Sequence, residues 1–421
     1  MSLRLLKHGA VLTIGNVLAG GLSYIFMILA ARHLGPAEMG TLGSLLAIFY
    51  IISLPMDGAI GTLVAQRVAR NRDGSLQDRT RATVRGSLVI VLRYVAVGLV
   101  ILAAVSPLMR QGLDLNDYTG LIALAACIAF FAVYSIFRGA LQGLEQFALF
   151  SAVVAGEAAV RLVLLLGLPT PLLSASAALA TYPVGYVLAT AIIAIRIRFP
   201  WRDTAAAGDK SEGSSLSRHA LLTGIAFCLL GTLSQLDMVA AKHFLSDNVA
   251  GYYAGVNSLV KTPLRLISLA FSMAMFPSVV ALGARTSRAL SQLAAACFAS
   301  FLATLSAAAV CSLYPQPIVL ATLGDSFAPL AAWLGPFALA LIAPTVLVVL
   351  ARFYIELDTR VLVLSLVIGL IAQVVSLALY HGTPQHVMLS MALGNGLPTM
   401  FLTVHLLARG PRRAADSAQI E

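Results

Sequence analysis

The chain has 421 residues, of which 59% are hydrophobic and only 11% charged, against about 25% charged in an ordinary soluble domain. That balance excludes a soluble globular protein and places the chain in a membrane. A net charge of +10 would suggest nucleic acid for a soluble protein, but in a membrane chain the positions of the basic residues carry the information, and no nucleic-acid partner is expected.

A membrane helix needs about 20 mainly apolar residues. Such runs fall at 9–31, 38–66, 86–109, 118–140, 147–168 and 171–196 in the first half, and at 219–243, 248–283, 289–314, 328–351, 361–381 and 384–408 in the second. The start, "MSLRLLKHG", is basic like a signal peptide, but the apolar stretch after it is about 23 residues, longer than the 7–15 of a cleaved segment, so the first span is expected to be retained. The eighth run is long, and either a cytoplasmic extension or a kink near Pro263 or Pro277 is expected.

Of the 28 Lys and Arg, twenty-one fall in connections on one side, three (Arg32, Arg110, Lys242) on the other, and four (Arg93, Arg161, Lys261, Arg265) within spans. The positive-inside rule makes the first side cytoplasmic and puts both termini there. Arg138 and Arg352, at the ends of the fourth and tenth spans, count among the cytoplasmic charges. The longest connection, "RFPWRDTAAAGDKSEGSSLSR" at 198–218, reads as a flexible cytoplasmic linker. The organisation expected is a lobe at 1–197, the linker at 198–218, a second lobe at 219–408 and a cytoplasmic tail at 409–421. The remaining outer connections are expected to be a few residues long.

The two halves echo one another. "AARH" at 30–33 matches "AAKH" at 240–243, "LNDYTGLI" at 115–122 matches "LGDSFAPL" at 323–330, and Arg138 matches Arg352. Six spans per half make both halves enter the membrane in the same direction, related by an axis along its normal. The fold expected is an all-α integral membrane protein with about 12 transmembrane helices in two parallel six-helix lobes and a central cavity. That architecture suits an alternating-access transporter with a substrate site near the midplane.

Several stretches resemble one family. "GNVLAGGLSYIFMILAARHLGPAEMGTLGSLLAIFYIISLP", "FRGALQGLEQFALFSAVVAGEAAVRLVL", "LSQLDMVAAKHFLSDNVAGYYAGVNSL" and "LGDSFAPLAAWLGPF" resemble the Wzx-type polysaccharide flippases of the multidrug/oligosaccharidyl-lipid/polysaccharide (MOP) superfamily. The resemblance implies an inner-membrane protein that moves undecaprenyl-diphosphate-linked oligosaccharides for O-antigen, capsule or exopolysaccharide synthesis, in contact with membrane lipids and with the polymerase machinery. Related peptidoglycan-precursor flippases carry arginines in their first helix. This chain has no charge between Lys7 and Arg32, which favours the polysaccharide branch and removes one expected phosphate contact.

A charge deep in a bilayer needs a partner, a wet cavity or a function. Lys261 and Arg265, four residues apart on one helix face and of like sign, are the strongest candidates to bind the diphosphate; the alternative for the pair is a structural network with Asp57 or Asp237. Arg93, about two turns from the cytoplasmic end, can equally snorkel outward or meet the diphosphate at the inner mouth. Glu157 and Arg161 have the spacing of a local ion pair. Asp57 reads as a counter-ion or as a proton or Na⁺ carrier, and Asp237 as a partner for Lys242 or a cavity charge. Asn16, Gln235 and Asn257 are candidate sugar contacts, with Gln373 and Asn395 as further uncharged polar residues in spans; each can equally serve an interhelical hydrogen bond.

The four cysteines stand in apolar stretches without C-x-x-C spacing, and no Walker motif, nucleotide fingerprint or metal-ligand cluster is present. No cofactor, metal or enzymatic activity is expected. Two other functions compete: a cation-coupled drug exporter of the same superfamily, and a membrane glycan polymerase, for which the short outer connections leave little room.

Overall fold

A computed structural model describes residues 3–70, 76–198, 218–282 and 286–409. Helix α1 (Leu3–Pro55) holds two of the predicted spans, because Gly35 breaks it with φ 75° and ψ 175°. A residue without Cβ takes that conformation at little cost, and Pro36 then starts the second arm with its φ already set. Beyond Pro55 the chain makes a π turn, Met56–Gly61, and continues as α2 (Thr62–Arg70). Four more passes follow as α3 (Leu76–Gly112), α4 (Thr119–Gly143), α5 (Phe147–Gly167) and α6 (Ala175–Arg196).

The second half opens with α7 (Arg218–Phe244). Its next pass is a composite of α8 (Asp247–Val256), a π turn at Asn257–Lys261, and α9 (Thr262–Leu282). Then come α10 (Ser287–Leu313), the short α11 (Pro315–Thr322), α12 (Ala331–Ala340), α13 (Ile342–Leu357), α14 (Thr359–Leu379) and α15 (Pro384–Arg409). Ten of these stretches are long and apolar enough to cross a membrane, the first containing both arms of α1. With the α8–α9 composite they account for the twelve passes expected, among the described residues.

The expected kink takes the form of the π turn at Pro263. Proline has no N–H, so the Leu259 carbonyl loses its α-helical donor, and the Thr262 amide instead bonds the Asn257 carbonyl five residues back. Pro55 stands on the opposite side of the other π turn, directly before it. The connection from α10 to α12 is longer than expected: it contains α11 and a 3₁₀ turn, Asp325–Leu330.

By contacts the chain divides into two compact units, Met1–Gly231 and Thr232–Glu421, so α7 runs across the division. Within the first unit, α4 meets the π turn where Gly139 lies directly on the Gly61 backbone, leaving no room for a Cβ. Within the second, α14 and α15 touch where Gly369 faces Gly394 and Pro398. Small residues at such crossings let helix backbones approach where no water-driven force assists packing. The predicted tail begins at Arg409, the last described residue, and residues 199–217 of the predicted linker lie outside the description.

The two echoing hairpins are fastened differently. In the first, Glu38 reaches across to α6 and accepts the Ala175 amide at 2.7 Å, beside the N-cap Ser174, whose hydroxyl accepts the Ala177 amide at 3.2 Å. In the second, Lys242 closes locally on Asp247.

Candidate functional site

Among the described residues, each unit holds a cluster of charges inside its helices. In the first, Asp57 lies in the π turn after Pro55 and forms an ion pair with Arg138 of α4. The Arg138 guanidinium stands over the rings of Tyr134 (5.5 Å) and Phe150 (5.7 Å). On α5, Glu157 and Arg161 form the expected i,i+4 pair, with Arg161 Nη2 donating to Glu157 Oε1 at 3.1 Å and to Ser23 Oγ at 3.2 Å. Arg161 Nε also lies 3.0 Å from Oε2, but off the line a hydrogen bond requires, so the Nη2 bond holds the pair. Arg161 further lies 4.3 Å from the centre of the Tyr182 ring. Tyr182 belongs to an aromatic group with Phe26, Phe49, Phe131, Tyr134 and Tyr186, in which Tyr134 and Tyr186 stack at 5.4 Å. Two acids and two bases balance here, and the aromatic rings supply the remaining cation contacts.

The second unit is built otherwise. Lys261 ends the π turn, buried, and its ammonium donates to both oxygens of Asp237 on α7, at 2.9 and 3.0 Å. Asp237 is fully buried, and the Tyr253 hydroxyl of α8 donates to its Oδ2 at 3.0 Å. Three charge-assisted bonds therefore hold one carboxylate. Arg265, one turn further along α9 and half-buried, acts electrostatically on Lys261 and also on Arg352 of α13.

The two sequence alternatives for Lys261, Asp57 and Asp237, thus separate: Asp237 takes the lysine, and Asp57 takes Arg138 within the other unit. Lys242, expected as the partner of Asp237, pairs with Asp247 instead. Arg93 is exposed on α3, away from the packed stripe of Val84, Ser87, Val91 and Val95. Asn16 is half-buried on α1, Gln235 buried on α7, and Asn257 half-buried at the start of the second π turn. Asn395 Nδ2 donates to the Leu233 carbonyl of α7 at 3.4 Å and to the Met391 carbonyl at 2.8 Å, an interhelical use. Gln373 is fully buried against Gly394.

Sequence reasoning missed Arg138 and Arg352 as members of these clusters, because both stood at span ends and were counted with the loops. The signal was present: the repeat pairs them. Tyr253, a third support for Asp237, had no signal beyond its type.

The family model for polysaccharide biosynthesis protein matches residues 5–282, about two thirds of the chain and the whole first cluster together with Asp237, Lys261 and Arg265 of the second. The chain belongs to the polysaccharide biosynthesis protein family. No curated protein matches it in sequence. Solved structures match its fold. A lipid II flippase, MurJ, in an inward closed conformation is 12% identical with a TM-score of 0.68, over 94% of this chain and 87% of that one. An inward-facing multidrug resistance MATE transporter of the MOP superfamily is 15% identical with a TM-score of 0.66, over 94% and 98%. A MOP-superfamily transporter from Pyrococcus furiosus, described as having a binding pocket of reverse polarity, is 16% identical with a TM-score of 0.63, over 96% and 95%. This member of the polysaccharide biosynthesis family is therefore a multi-pass membrane protein with the all-helical fold of MOP-superfamily transporters.

Proposed function

We propose that the protein is an alternating-access flippase that carries undecaprenyl-diphosphate-linked oligosaccharide units across the inner membrane for O-antigen, capsule or exopolysaccharide synthesis. Both termini are on the cytoplasmic side, and the lobes are 1–197 and 219–408, joined by the 198–218 linker. The observation that carries this reading is that the second unit places Lys261, buried on Asp237, one helical turn before the half-buried Arg265, with a further half-buried base, Arg352, on α13. Cations held inside a membrane protein call for an anion, and a diphosphate is the anion that a polysaccharide precursor on a lipid carries. Family membership supports the same substrate class.

Lys261 and Arg265 are the diphosphate contacts in this reading, and Arg93, exposed on α3, meets the substrate phosphates at the cytoplasmic surface. Asp57, Asp237, Glu157 and Arg161 set the internal field, and any coupling to H⁺ or Na⁺ passes through these acids. Asn16, Asn257 and Gln235 are sugar contacts. Lipids surround the protein, and the polymerase that consumes the flipped unit is its partner.

The exporter reading has its own support in the multidrug transporter fold, whose TM-score of 0.66 is close to the 0.68 of the lipid II flippase. Charge separates the two, since a carrier of cationic drugs has no use for a surplus of bases. The test is Lys261→Gln with Arg265→Gln in a strain whose surface glycan depends on the protein, with membrane insertion verified. Loss of surface glycan with accumulation of lipid-linked units is expected. Normal glycan, together with dye efflux that persists in the double variant, overturns the flippase reading.

A further inference from the structure

Three of the chain's seven histidines, His243, His381 and His386, come from separate elements to one end of the second unit, the end that the proposed topology turns outward. Two aromatic rings join them. Phe244, the last residue of α7, packs against His243 with ring centres 4.5 Å apart and stacks on His381 at 4.3 Å and 29°. Tyr380, next to His381 at the end of α14, lies 5.9 Å from His386 in the first turn of α15. Both rings still face outward: Phe244 is 40% exposed and Tyr380 59%.

The repeat shows that the fold does not need these rings. In the first half Leu34 follows His33 where Phe244 follows His243 in the second, and "LPTPLLS" at 168–174 joins the fifth and sixth passes where the second half has "YHGTPQH" at 380–386. The first version has neither an aromatic residue nor a histidine in that connection. An anchor in the membrane interface calls for Tyr or Trp, not for imidazoles gathered from three helices.

The imidazoles are also differentiated. His381 Nδ1 stands 3.0 Å from the Leu377 carbonyl, which can only accept, so Nδ1 carries the hydrogen and Nε2 of the neutral ring is an acceptor. His386 is the reverse. Its Nδ1 is enclosed without a hydrogen-bond partner, a place that suits a lone pair better than an orphaned N–H, so Nε2 of that ring is a donor.

We propose that Phe244 and Tyr380, with His381 and His386, form a sugar-binding platform on which a pyranose of the translocated oligosaccharide rests as it leaves the protein. A pyranose carries C–H bonds on its faces and hydroxyls, each both donor and acceptor, at its rim. The negative face of an aromatic ring receives the first, and the paired imidazoles receive the second. The inference rests on the flippase reading and deepens it, adding a second sugar site to the contacts Asn16, Asn257 and Gln235.

The experiment is saturation-transfer NMR on purified full-length protein in a detergent without a sugar headgroup. The probe is the free oligosaccharide released by mild acid from the lipid-linked units of the strain whose surface glycan depends on the protein, so that neither diphosphate nor lipid contributes. Transfer to pyranose C–H protons is expected in the wild type. Phe244→Leu, which installs the residue of the first hairpin, is expected to lower it about threefold at an unchanged thermal midpoint, and Phe244→Leu with Tyr380→Leu by about tenfold. Tyr314→Leu, on a 60% exposed tyrosine after α10, is expected to behave as wild type. No transfer in the wild type, equal transfer in the Phe244→Leu, Tyr380→Leu variant, or an equal loss in Tyr314→Leu overturns the platform. If the platform is overturned while Lys261→Gln with Arg265→Gln still loses surface glycan, the flippase reading stands without it; if that charge variant keeps normal glycan, both fall.

Discussion

The two buried acid–base pairs, Glu157–Arg161 in the first unit and Asp237–Lys261 in the second, solve the same electrostatic problem in opposite ways. Glu157 and Arg161 are four residues apart on one helix, so they meet whenever α5 forms, and Ser23 and the Tyr182 ring supply the rest of the cation's contacts. Asp237 and Lys261 are 24 residues apart on separate elements, so they meet only when α7, α8 and the π turn are all in place. Removing one partner of a buried pair costs about 3–5 kcal/mol because the survivor is stranded, while replacing both by apolar groups is often neutral or better. The local pair is therefore insulated from rearrangement of its neighbours. The tertiary pair reports on them.

This contrast can be broken by substitution. The largest effect is expected for Asp237→Asn, which strands Lys261 beside the like charge of Arg265; a loss of about 3–5 kcal/mol in unfolding free energy in detergent is expected, and Lys261→Met in the same chain should recover most of it. Glu157→Gln comes next, at about 1–3 kcal/mol, because the amide oxygen stays within reach of Arg161 and the Tyr182 ring remains. Equal losses for Asp237→Asn and Glu157→Gln would show that the aromatic enclosure does nothing. The hairpins give the smaller effects and repeat the contrast between reaching across and closing locally. Glu38→Ala removes a carboxylate from the start of α6 and is expected to cost about 1 kcal/mol, seen as faster amide exchange at Ala175. Asp247→Asn, which keeps an acceptor for the buried Lys242 ammonium, is expected to cost about 1 kcal/mol, with no change in exchange beyond α8.

The passes and their turns were legible because the bilayer imposes a length and because Gly35, Pro36, Pro55 and Pro263 each mark a break by covalent geometry. The i,i+4 pair on α5 was legible for the same local reason. The partner of Lys261 was not. Helices apolar around their whole circumference carry no stripe that says which face turns inward, and a π turn upsets any count of residues across it. Arg138 and Arg352 escaped because a base near a helix end satisfies the positive-inside pattern whichever way its side chain points. The Asp57 ion pair and the Tyr134 and Phe150 rings distinguish Arg138 from a loop charge.

The π turn at Asn257–Lys261 has a rotational consequence. A helix advances about 100° per residue, so the extra residue in this turn sets the azimuth of everything beyond it. The face that α9 turns to α13 is set by that one insertion. Deleting a single residue there would leave the pass almost as long and as apolar as before, while turning every side chain of α9, Arg265 included, through about 100°. The electrical character of the second unit thus hangs on a single frame of helical phase, which neither composition nor hydropathy records.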